Sequence, residues 1–546
     1  MITALLLTGS LTLTAQTRPA PAPQKTAAAR TTPPLVVLLV VDQFRGDYVS
    51  WYGHQWTKGL RRLIDTGAYF PLAAYRHAVT LTCAGHSTIG TGAYPRTHGM
   101  IANEWFDRET KKRVTCTDDP SVTPIAFGGL TAKEHHSARM LQTNTFADEL
   151  RNQASVAPHI ASVSLKARSA IGMAGHSGDL LAWLEDTGVW ASSSAFVKGP
   201  RPDVDAFATA HAVSKQYGRV WDRLLPPSAY LFNDDGVGEL KPDDGTILFP
   251  HPQTRPGGAP DQLFVTNWER TPFIDEMLTD MALTFSEGYG TGTGTDVLAV
   301  SFSSLDYVGH RYGPKSHEVQ DVLARLDVQL GRLFDALDKR VGAGRYVAVL
   351  SADHGVAPIP EQVTAQGLDA GRFTAASVNA RLTEAWKPFA TDGASPIANS
   401  NGTDIYFTPA AMAILATNAA ARRALTDAAV SLPSIDKAYW ASDLDTGVAS
   451  DDPVRQSMAL SFYRGRSADL QLVAKQHWMP TSGGTTHGTP YAYDQRVPLV
   501  LMGWGIKPGR YLTTAAPVDI APTLAYMSHV NLPRADGRVL AEAMLR

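Results

Sequence analysis

Three apolar runs rich in β-branched residues, each followed closely by an aspartate, constrain the fold of this chain most strongly. They are Leu35–Val41 before Asp42, Val297–Phe302 before Asp306, and Tyr346–Leu350 before Asp353. Such runs predict strands, and an open parallel sheet brings the carboxyl ends of its strands together along one edge. We therefore expect the three aspartates to lie near one another.

Helical segments alternate with these strands. The clearest covers Glu318–Leu337, where apolar residues recur at three- and four-residue steps and form one apolar face. A shorter helix is predicted near Gly59–Asp65, and further strands over His159–Leu165 and Val497–Met502. This alternation predicts an α/β fold with a doubly wound, mostly parallel sheet flanked by helices.

Two segments between these elements are less regular. They cover about 180–290 and about 360–480, and they contain many Pro and Gly residues and turn pairs such as Asp235-Gly236 and Asp244-Gly245. Candidate site residues lie on both sides of each segment. We therefore predict that both are cap insertions within one domain of residues 34–546.

The N-terminal region differs in composition from the rest. Residues 1–15 contain an apolar run and end in a small-residue pattern, which predicts a secretory signal peptide; a disordered apolar tail is the alternative. Residues 16–33 are rich in Pro, Ala and Thr and predict a flexible linker. No later run reaches the ~18 apolar residues that a membrane span needs. We therefore predict a periplasmic or secreted protein without a membrane span.

The overall composition excludes some partners. The 546 residues are 44% hydrophobic and 18% charged, as in ordinary globular proteins, and the formal net charge is −3. Because there is no basic excess to neutralise phosphates, general binding to nucleic acid or anionic membranes is not expected.

The sequence has only two cysteines, Cys83 and Cys116. They permit one disulfide but cannot make a disulfide-dependent scaffold.

Six residues have the side chains of a two-metal site: Asp42, Asp306, His310, Asp353, His354 and His487. Three carboxylates and three imidazoles suit paired Zn²⁺. Two such ions can hold the attacking and the leaving oxygen of a phosphoryl transfer. Taken singly, each residue has an ordinary alternative, such as a turn or helix cap for Asp42 or a surface position for His487.

Two pairs among these six are close in sequence. Asp306 and His310 are four residues apart, and we expect them in a turn after a strand, where both can bind one ion. Asp353 and His354 are adjacent, so their side chains would point apart in a regular strand. Gly355 directly after them permits a turn that brings both onto one ion.

Residues 80–100 contain a candidate nucleophile. Thr82 lies where a loop is predicted to meet a short helix, and the backbone N–H groups at a helix start stabilise anionic oxygens. Metal coordination is one way to turn a hydroxyl into an alkoxide; the alternative is that Thr82 only caps the helix. Cys83 adjoins Thr82 but lacks a neighbouring group that would lower its pKa, so a structural role is predicted.

Several motifs resemble those of the alkaline phosphatase superfamily. They are Thr82-Cys-Ala-Gly-His86, Thr91-Gly-Ala-Tyr-Pro95, His98-Gly99 with Asn103, and Gly309-His-Arg-Tyr-Gly-Pro314. The similarity extends from about residue 34 to 542. The branch it resembles contains periplasmic phosphatases with a Thr nucleophile, close to the type I phosphodiesterases and nucleotide pyrophosphatases.

This resemblance implies a role for each residue. One Zn²⁺ would be held by Asp306, His310 and His487, and a second by Asp42, Asp353, His354 and Thr82. Thr82 would attack phosphorus and form a phospho-threonine intermediate, while Asn103 would donate a hydrogen bond to a phosphoryl oxygen. No metal ligand of the family pattern is missing.

Lys166-Ala-Arg168 bears on the substrate class. Such a pair usually lies on the solvated surface. At the end of a strand, however, the two cations can reach the oxygens of a dianionic phosphate. The pair resembles the Lys-x-Arg of phosphate-monoesterase members, which implies small phosphate monoesters as substrates. We therefore predict a zinc-dependent alkaline phosphatase; a phosphodiesterase or nucleotide pyrophosphatase on the same metals is the alternative.

Three other classes fit the sequence less well. A sulfatase would carry Cys-x-Pro-x-Arg at the nucleophile, whereas Cys83 is followed by Ala-Gly-His. A cofactor-independent phosphoglycerate mutase normally has a Ser nucleophile and a cytosolic location. A non-catalytic binding protein of the same fold would have lost ligands or the nucleophile. The sequence leaves the physiological monoester and the oligomeric state open, with a monomer as the expectation.

Overall fold

A ten-stranded sheet organises the computed structural model of the chain. From one edge to the other its strands are Gly509–Arg510, Ala68–Tyr69, Val500–Gly503, Val347–Ser351, Leu35–Val41, Asp296–Phe302, Ile160–Ser164, Leu180–Leu184, Trp190–Ser193 and Pro124–Ala126. The five neighbours from Val347–Ser351 to Leu180–Leu184 run parallel. Val500–Gly503 and Trp190–Ser193 flank these five and run antiparallel to them. The α/β class with a mostly parallel sheet is confirmed.

The structure describes residues 31–545 except 243–244 and 391–392. The predicted signal peptide over 1–15, most of the predicted linker over 16–33 and Asp244 of one predicted turn lie outside the described residues. None of the helices in the described part is long and apolar enough to span a membrane.

Helices cover both faces of the sheet. Those of eight residues or more are Gly59–Thr66, Thr82–Thr91, Phe146–Gln153, Ala167–Ala174, Pro202–Ala210, Phe273–Phe285, Ser304–Tyr312, His317–Arg340, Ala375–Trp386, Pro409–Thr417, Ala419–Val430, Pro453–Ser461 and Ile520–Met527. Successive side chains of a strand point to opposite faces, and the central strand Leu35–Val41 is apolar on both. Leu35, Val37, Leu39 and Val41 join one core and Val36, Leu38 and Val40 the other. This is the double winding that the sequence predicts.

A second, four-stranded sheet lies within the segment 360–480. Its strands, in order, are Ile397–Ser400, Asp404–Phe407, Leu470–Ala474 and Ile435–Trp440, and it has an apolar core of its own. The other irregular segment, about 180–290, is different. It begins with the main-sheet strands Leu180–Leu184 and Trp190–Ser193, and its helix Phe273–Phe285 packs into the main core.

One local expectation is wrong. Asp306 and His310 lie on a helix, Ser304–Tyr312, and not in a turn. Residues four apart are neighbours on one face of a helix, so the pair still points to a common place. The helix packs its Leu305 and Val308 into the core, and this burial stabilises a segment whose short length left it ambiguous in sequence.

Candidate active site

Four neighbouring strands end at one edge of the sheet and carry most of the predicted site. In the sheet register, Val41 lies opposite Phe302, Val40 opposite Ser351, and Ser301 opposite Ser164. The residues that follow these strand ends are Asp42, then Asp306 and His310 on their helix, then Asp353 and His354, and finally Lys166. His487 reaches the same place from a loop between Trp478–Met479 and Ala492–Gln495.

Each aspartate presents one oxygen to the imidazoles. Asp42 Oδ1 lies 3.4 Å and Asp353 Oδ2 3.2 Å from His354 Nε2. Asp306 Oδ1 lies 3.1 Å from His310 Nε2 and 3.6 Å from His487 Nε2. The structure therefore brings all six predicted ligands into one cluster, with Asp306 beside His310 and His487, and Asp42 and Asp353 beside His354.

Backbone carbonyls orient the three imidazoles. The Nδ1 atom of His310 lies 2.8 Å from the carbonyl oxygen of Thr485. The Nδ1 atom of His487 lies 2.7 Å from the carbonyl oxygen of Thr80, and that of His354 lies 2.9 Å from the carbonyl oxygen of Gly355. A proton on Nδ1 that is donated in this way leaves Nε2 free to bind a metal, as in other ligating histidines. Burial lowers the pKa of His354 and of His487, which favours the neutral form that a ligand needs.

The donor set fits divalent metal ions. Asp42 Oδ1 and Asp353 Oδ2 are buried and accept no well-aligned hydrogen bond from any described residue, although imidazole nitrogens lie 3.2–3.4 Å away. Buried carboxylate oxygens without a partner are costly unless a cation binds them. Ligand atoms lie within 4.8 Å of one another in two sets: Asp306, His310 and His487, and Asp42, Asp306 and His354. Mixed imidazole and carboxylate donors suit Zn²⁺.

The ammonium group of Lys166 lies between the two groups of ligands. Its Nζ donates to Asp42 Oδ2 at 2.6 Å and to Asp306 Oδ2 at 2.5 Å. Burial, reinforced by Asp306 and Asp353, raises the pKa of Asp42. Burial acts in the same direction on Asp306, but Lys166 and His310 outweigh it and hold the pKa of Asp306 well below its usual range. Lys166 thus bridges the Oδ2 atoms of Asp42 and Asp306.

Thr82 is the first residue of the helix Thr82–Thr91, and its Oγ1 lies 3.5 Å from His354 Nε2. The capping alternative is wrong, because Leu81 is the N-cap and no side chain caps this helix start. Gly85, one turn later, passes so close to Asp353 that a Cβ would overlap its carbonyl oxygen. The glycine therefore allows the helix to approach the ligand loop.

Asn103 is held between two half-cystines. Cys83 and Cys116 form a disulfide. The N–H of Cys83 donates to Asn103 Oδ1 at 2.9 Å, and the N–H of Cys116 donates to the Asn103 carbonyl at 2.9 Å. Because Oδ1 already accepts a bond, the side-chain NH₂ is the group of Asn103 that is available to an anion. The structural role predicted for Cys83 is accordingly to place Asn103 beside Thr82.

A cavity of ≈ 530 Å³ lies beside these residues, and its lining includes Asn103, Lys166 and Arg168. Arg168 Nε is buried and has no hydrogen-bond partner among the described residues, so this N–H can donate to a ligand. The cavity wall also contains Glu269. Burial, with a further contribution from Asp186, raises the pKa of Glu269 to about 8.

Sequence reasoning missed three residues of this region. Gln43 directly follows Asp42 and contacts the ligands, and that adjacency was the available signal. His86 lies in the nucleophile motif, and its Nδ1 is 3.2 Å from Asp353 Oδ2. Glu269 lies far along the chain from every motif, so no pattern in the sequence pointed to it.

The fold and the cluster of ligands define a class of enzyme. A family model described as type I phosphodiesterase / nucleotide pyrophosphatase matches residues 36–493. The chain belongs to this family, within the alkaline phosphatase superfamily.

Two alkaline phosphatases are similar in sequence over nearly the whole chain. The chain is 31% identical over 543 residues to alkaline phosphatase PafA of Elizabethkingia meningoseptica, covering 94% of this chain and 95% of the relative. It is 30% identical over 540 residues to alkaline phosphatase PhoV of Synechococcus elongatus, covering 97% and 96%.

Two solved structures superpose on this chain. The crystal structure of wild-type PafA superposes with a TM-score of 0.84 at 30% identity and covers 95% of this chain and 100% of its own. Murine ectonucleotide pyrophosphatase/phosphodiesterase 5 superposes with a TM-score of 0.53 at 12% identity, covering 92% and 97%. The second likeness is one of fold alone.

Proposed function

We propose that this chain is a zinc-dependent alkaline phosphatase that hydrolyses phosphate monoesters through a phospho-threonine intermediate. The observation that carries the proposal is the placement of Asn103, Lys166 and Arg168 around one cavity. Thr82 and the ligand cluster adjoin it through Cys83 and Lys166 respectively. Relatives that align over nearly the whole chain bear the name alkaline phosphatase.

The residues of the chain divide the chemistry between them. Bound Zn²⁺ would supply Lewis acidity, which lowers the pKa of a coordinated hydroxyl or water and stabilises the leaving oxygen. Thr82 Oγ1 attacks phosphorus, a Thr82 O–P bond forms, and the ester P–O bond breaks to release the alcohol. Water then cleaves the phospho-threonine and releases inorganic phosphate. Asn103, Lys166 and Arg168 donate hydrogen bonds to the non-bridging oxygens during both steps.

Charge favours a monoester over a diester. A monoester dianion presents three non-bridging oxygens, and the cavity offers the cations Lys166 and Arg168 together with the Asn103 amide. A diester carries one charge fewer and has a second substituent where one of these groups would bind. The phosphodiesterase alternative stays open, because the family includes such enzymes and the ligand cluster serves both reactions.

A Thr82→Ala variant tests the nucleophile. We expect its kcat to fall by more than ~10³-fold because the covalent step is lost, while zinc content stays close to that of the parent. Thr82→Ser is the matched control, since it retains a hydroxyl. Turnover of Thr82→Ala at a near-normal rate would refute the assignment.

An Arg168→Ala variant tests the substrate class. We expect kcat/KM for an aryl phosphate monoester to fall ~10²–10³-fold, as for the loss of one charge-stabilising donor, and kcat/KM for the matching diester to change much less. Equal losses on both substrates, or a parent that prefers the diester, would favour the phosphodiesterase alternative.

We also propose that the protein acts outside the cytoplasm. The disulfide Cys83–Cys116 supports this, since disulfides persist in oxidising compartments, as does the apolar run in residues 1–15. Fractionation of cells that express the full chain tests it. Retention of activity in the cytoplasmic fraction would contradict it.

A further inference from the structure

Gln43 has an unusual backbone conformation directly beside the ligand cluster. It follows Asp42, it is fully buried, and its φ is 68°. A left-handed conformation is uncommon for residues other than glycine, and it persists only where the surrounding structure enforces it, often at functional sites. The position therefore calls for an explanation in terms of what Gln43 contacts.

Gln43 donates to one ligand of each metal group. Its side-chain Nε2 donates to Asp306 Oδ1 at 2.7 Å, and its backbone N–H donates to Asp353 Oδ1 at 3.1 Å. Asp306 faces His310 and His487, whereas Asp353 faces His354. One residue thus touches carboxylates that the sequence separates widely.

The orientation of the amide is set by chemistry. If the amide were reversed, its oxygen would face the Asp306 carboxylate, so the NH₂ must point there. Oε1 accepts no hydrogen bond from the described residues. It lies against Gly309, where a Cβ would overlap it. Gly309 therefore makes room for the Gln43 amide beneath the helix that carries Asp306 and His310.

We propose that Gln43 is a positioning residue that holds one carboxylate of each metal group and so sets the relative placement of the two ions. The inference rests on the proposed two-metal phosphatase. Asp353 Oδ1 accepts the Gln43 N–H, and Oδ2 is the oxygen that faces His354. On Asp306, Oδ1 accepts from the Gln43 amide on one side and faces His310 and His487 on the other, while Oδ2 accepts from the Lys166 ammonium. Each carboxylate is therefore held in one orientation.

Two variants separate the loss of the amide from the strain of the left-handed backbone. Gln43→Met keeps a side chain of similar length and removes the donor to Asp306. Gln43→Gly also removes the donor, but it adopts the left-handed conformation without strain and retains the N–H to Asp353. Gln55→Met is the matched control: the Gln55 amide donates to the carbonyl of Ala229, outside the cluster.

The measurement is zinc affinity by competition with a chromophoric chelator, with kcat and KM determined at zinc saturation. We expect Gln43→Met and Gln43→Gly to weaken the binding of at least one ion ~10–100-fold, the usual effect of losing a hydrogen bond to a metal ligand. At saturation, kcat should fall while KM stays within about twofold, because the phosphate-binding groups are untouched. Gln55→Met should match the parent in all three quantities.

Zinc affinities within twofold of the parent in both Gln43 variants would overturn the inference. If Gln43→Gly raised the thermal midpoint and left zinc affinity unchanged, Gln43 would be only a strained structural residue, which also overturns it. A parent enzyme that bound no zinc or hydrolysed no phosphate ester would instead refute the proposed function.

Discussion

At the scale of single residues, Glu269 gives the cavity a dependence on pH. It is buried in the wall that it shares with Lys166 and Arg168, and burial, with Asp186 adding to it, raises the pKa of Glu269 to about 8. Above that pH it becomes an anion near the proposed phosphate site. We expect KM for a monoester to rise as pH passes through about 8, and Glu269→Gln to lack this rise. Parallel KM–pH profiles of parent and variant would contradict the assignment.

The same residue affects stability, and the sign follows from its raised pKa. Between the unfolded value of 4.5 and the folded value of about 8, the folded protein holds a proton that the unfolded chain releases. Stability from this group therefore falls as pH rises through that window and is constant above it.

Glu269→Gln should consequently gain on the parent as pH rises, by about 3–5 kcal/mol at pH 9 relative to pH 4.5. Denaturant unfolding at several pH values measures the difference. Glu109→Gln, at an exposed carboxylate, is the control and should show a flat difference.

At the scale of elements, the disulfide joins the start of the helix Thr82–Thr91 to the segment after Asn103. It closes a loop with a sequence separation of 33 residues, which corresponds to about 3–4 kcal/mol in the chain-entropy model. Removal of both cysteines by Cys83→Ala with Cys116→Ala should lower the thermal midpoint. It should also raise KM several-fold, because the two backbone N–H groups that hold Asn103 are then no longer linked to each other.

Thermal unfolding and steady-state kinetics, with and without reductant, check this expectation. The double variant should be insensitive to reductant, whereas the parent unfolded and refolded in reductant should resemble the variant. An unchanged KM would show that the hydrogen bonds of Asn103 suffice without the disulfide.

Local patterns were accurate for the long elements and weaker for the short ones. The predicted helix Glu318–Leu337 is His317–Arg340 in the structure; its buried apolar residues run from Val319 to Leu337, and the last turn adds charged residues. The strand expected over Val497–Met502 is Val500–Gly503. Asp306 and His310 were expected in a turn and lie on a helix, since packing rather than propensity decides the conformation of so short a segment.

At the scale of the whole molecule, the candidate metal ligands come from parts of the chain that are distant in sequence. The ligands follow three strands of the main sheet and include His487 from a late loop. We expect removal of zinc by a chelator to lower the thermal midpoint, and added zinc to restore it. At a thousandfold excess over Kd, one bound ion adds about 4 kcal/mol.

Calorimetry across a zinc titration measures this shift. Asp353→Asn, which removes one ligand, should show a smaller dependence on zinc than the parent. A midpoint that does not depend on zinc concentration in the parent would contradict a structural contribution from the metals.

The sequence by itself determined the α/β class, the strands that precede the aspartates, and the residue types of the candidate metal site. Periodicity and side-chain chemistry are local properties, so they can be read without coordinates. Only the tertiary structure decided that Lys166 lies between Asp42 and Asp306, that Cys83 and Cys116 hold Asn103, and that Gln43 contacts Asp353, 310 positions away. Such contacts depend on how distant segments pack, and no local pattern encodes them.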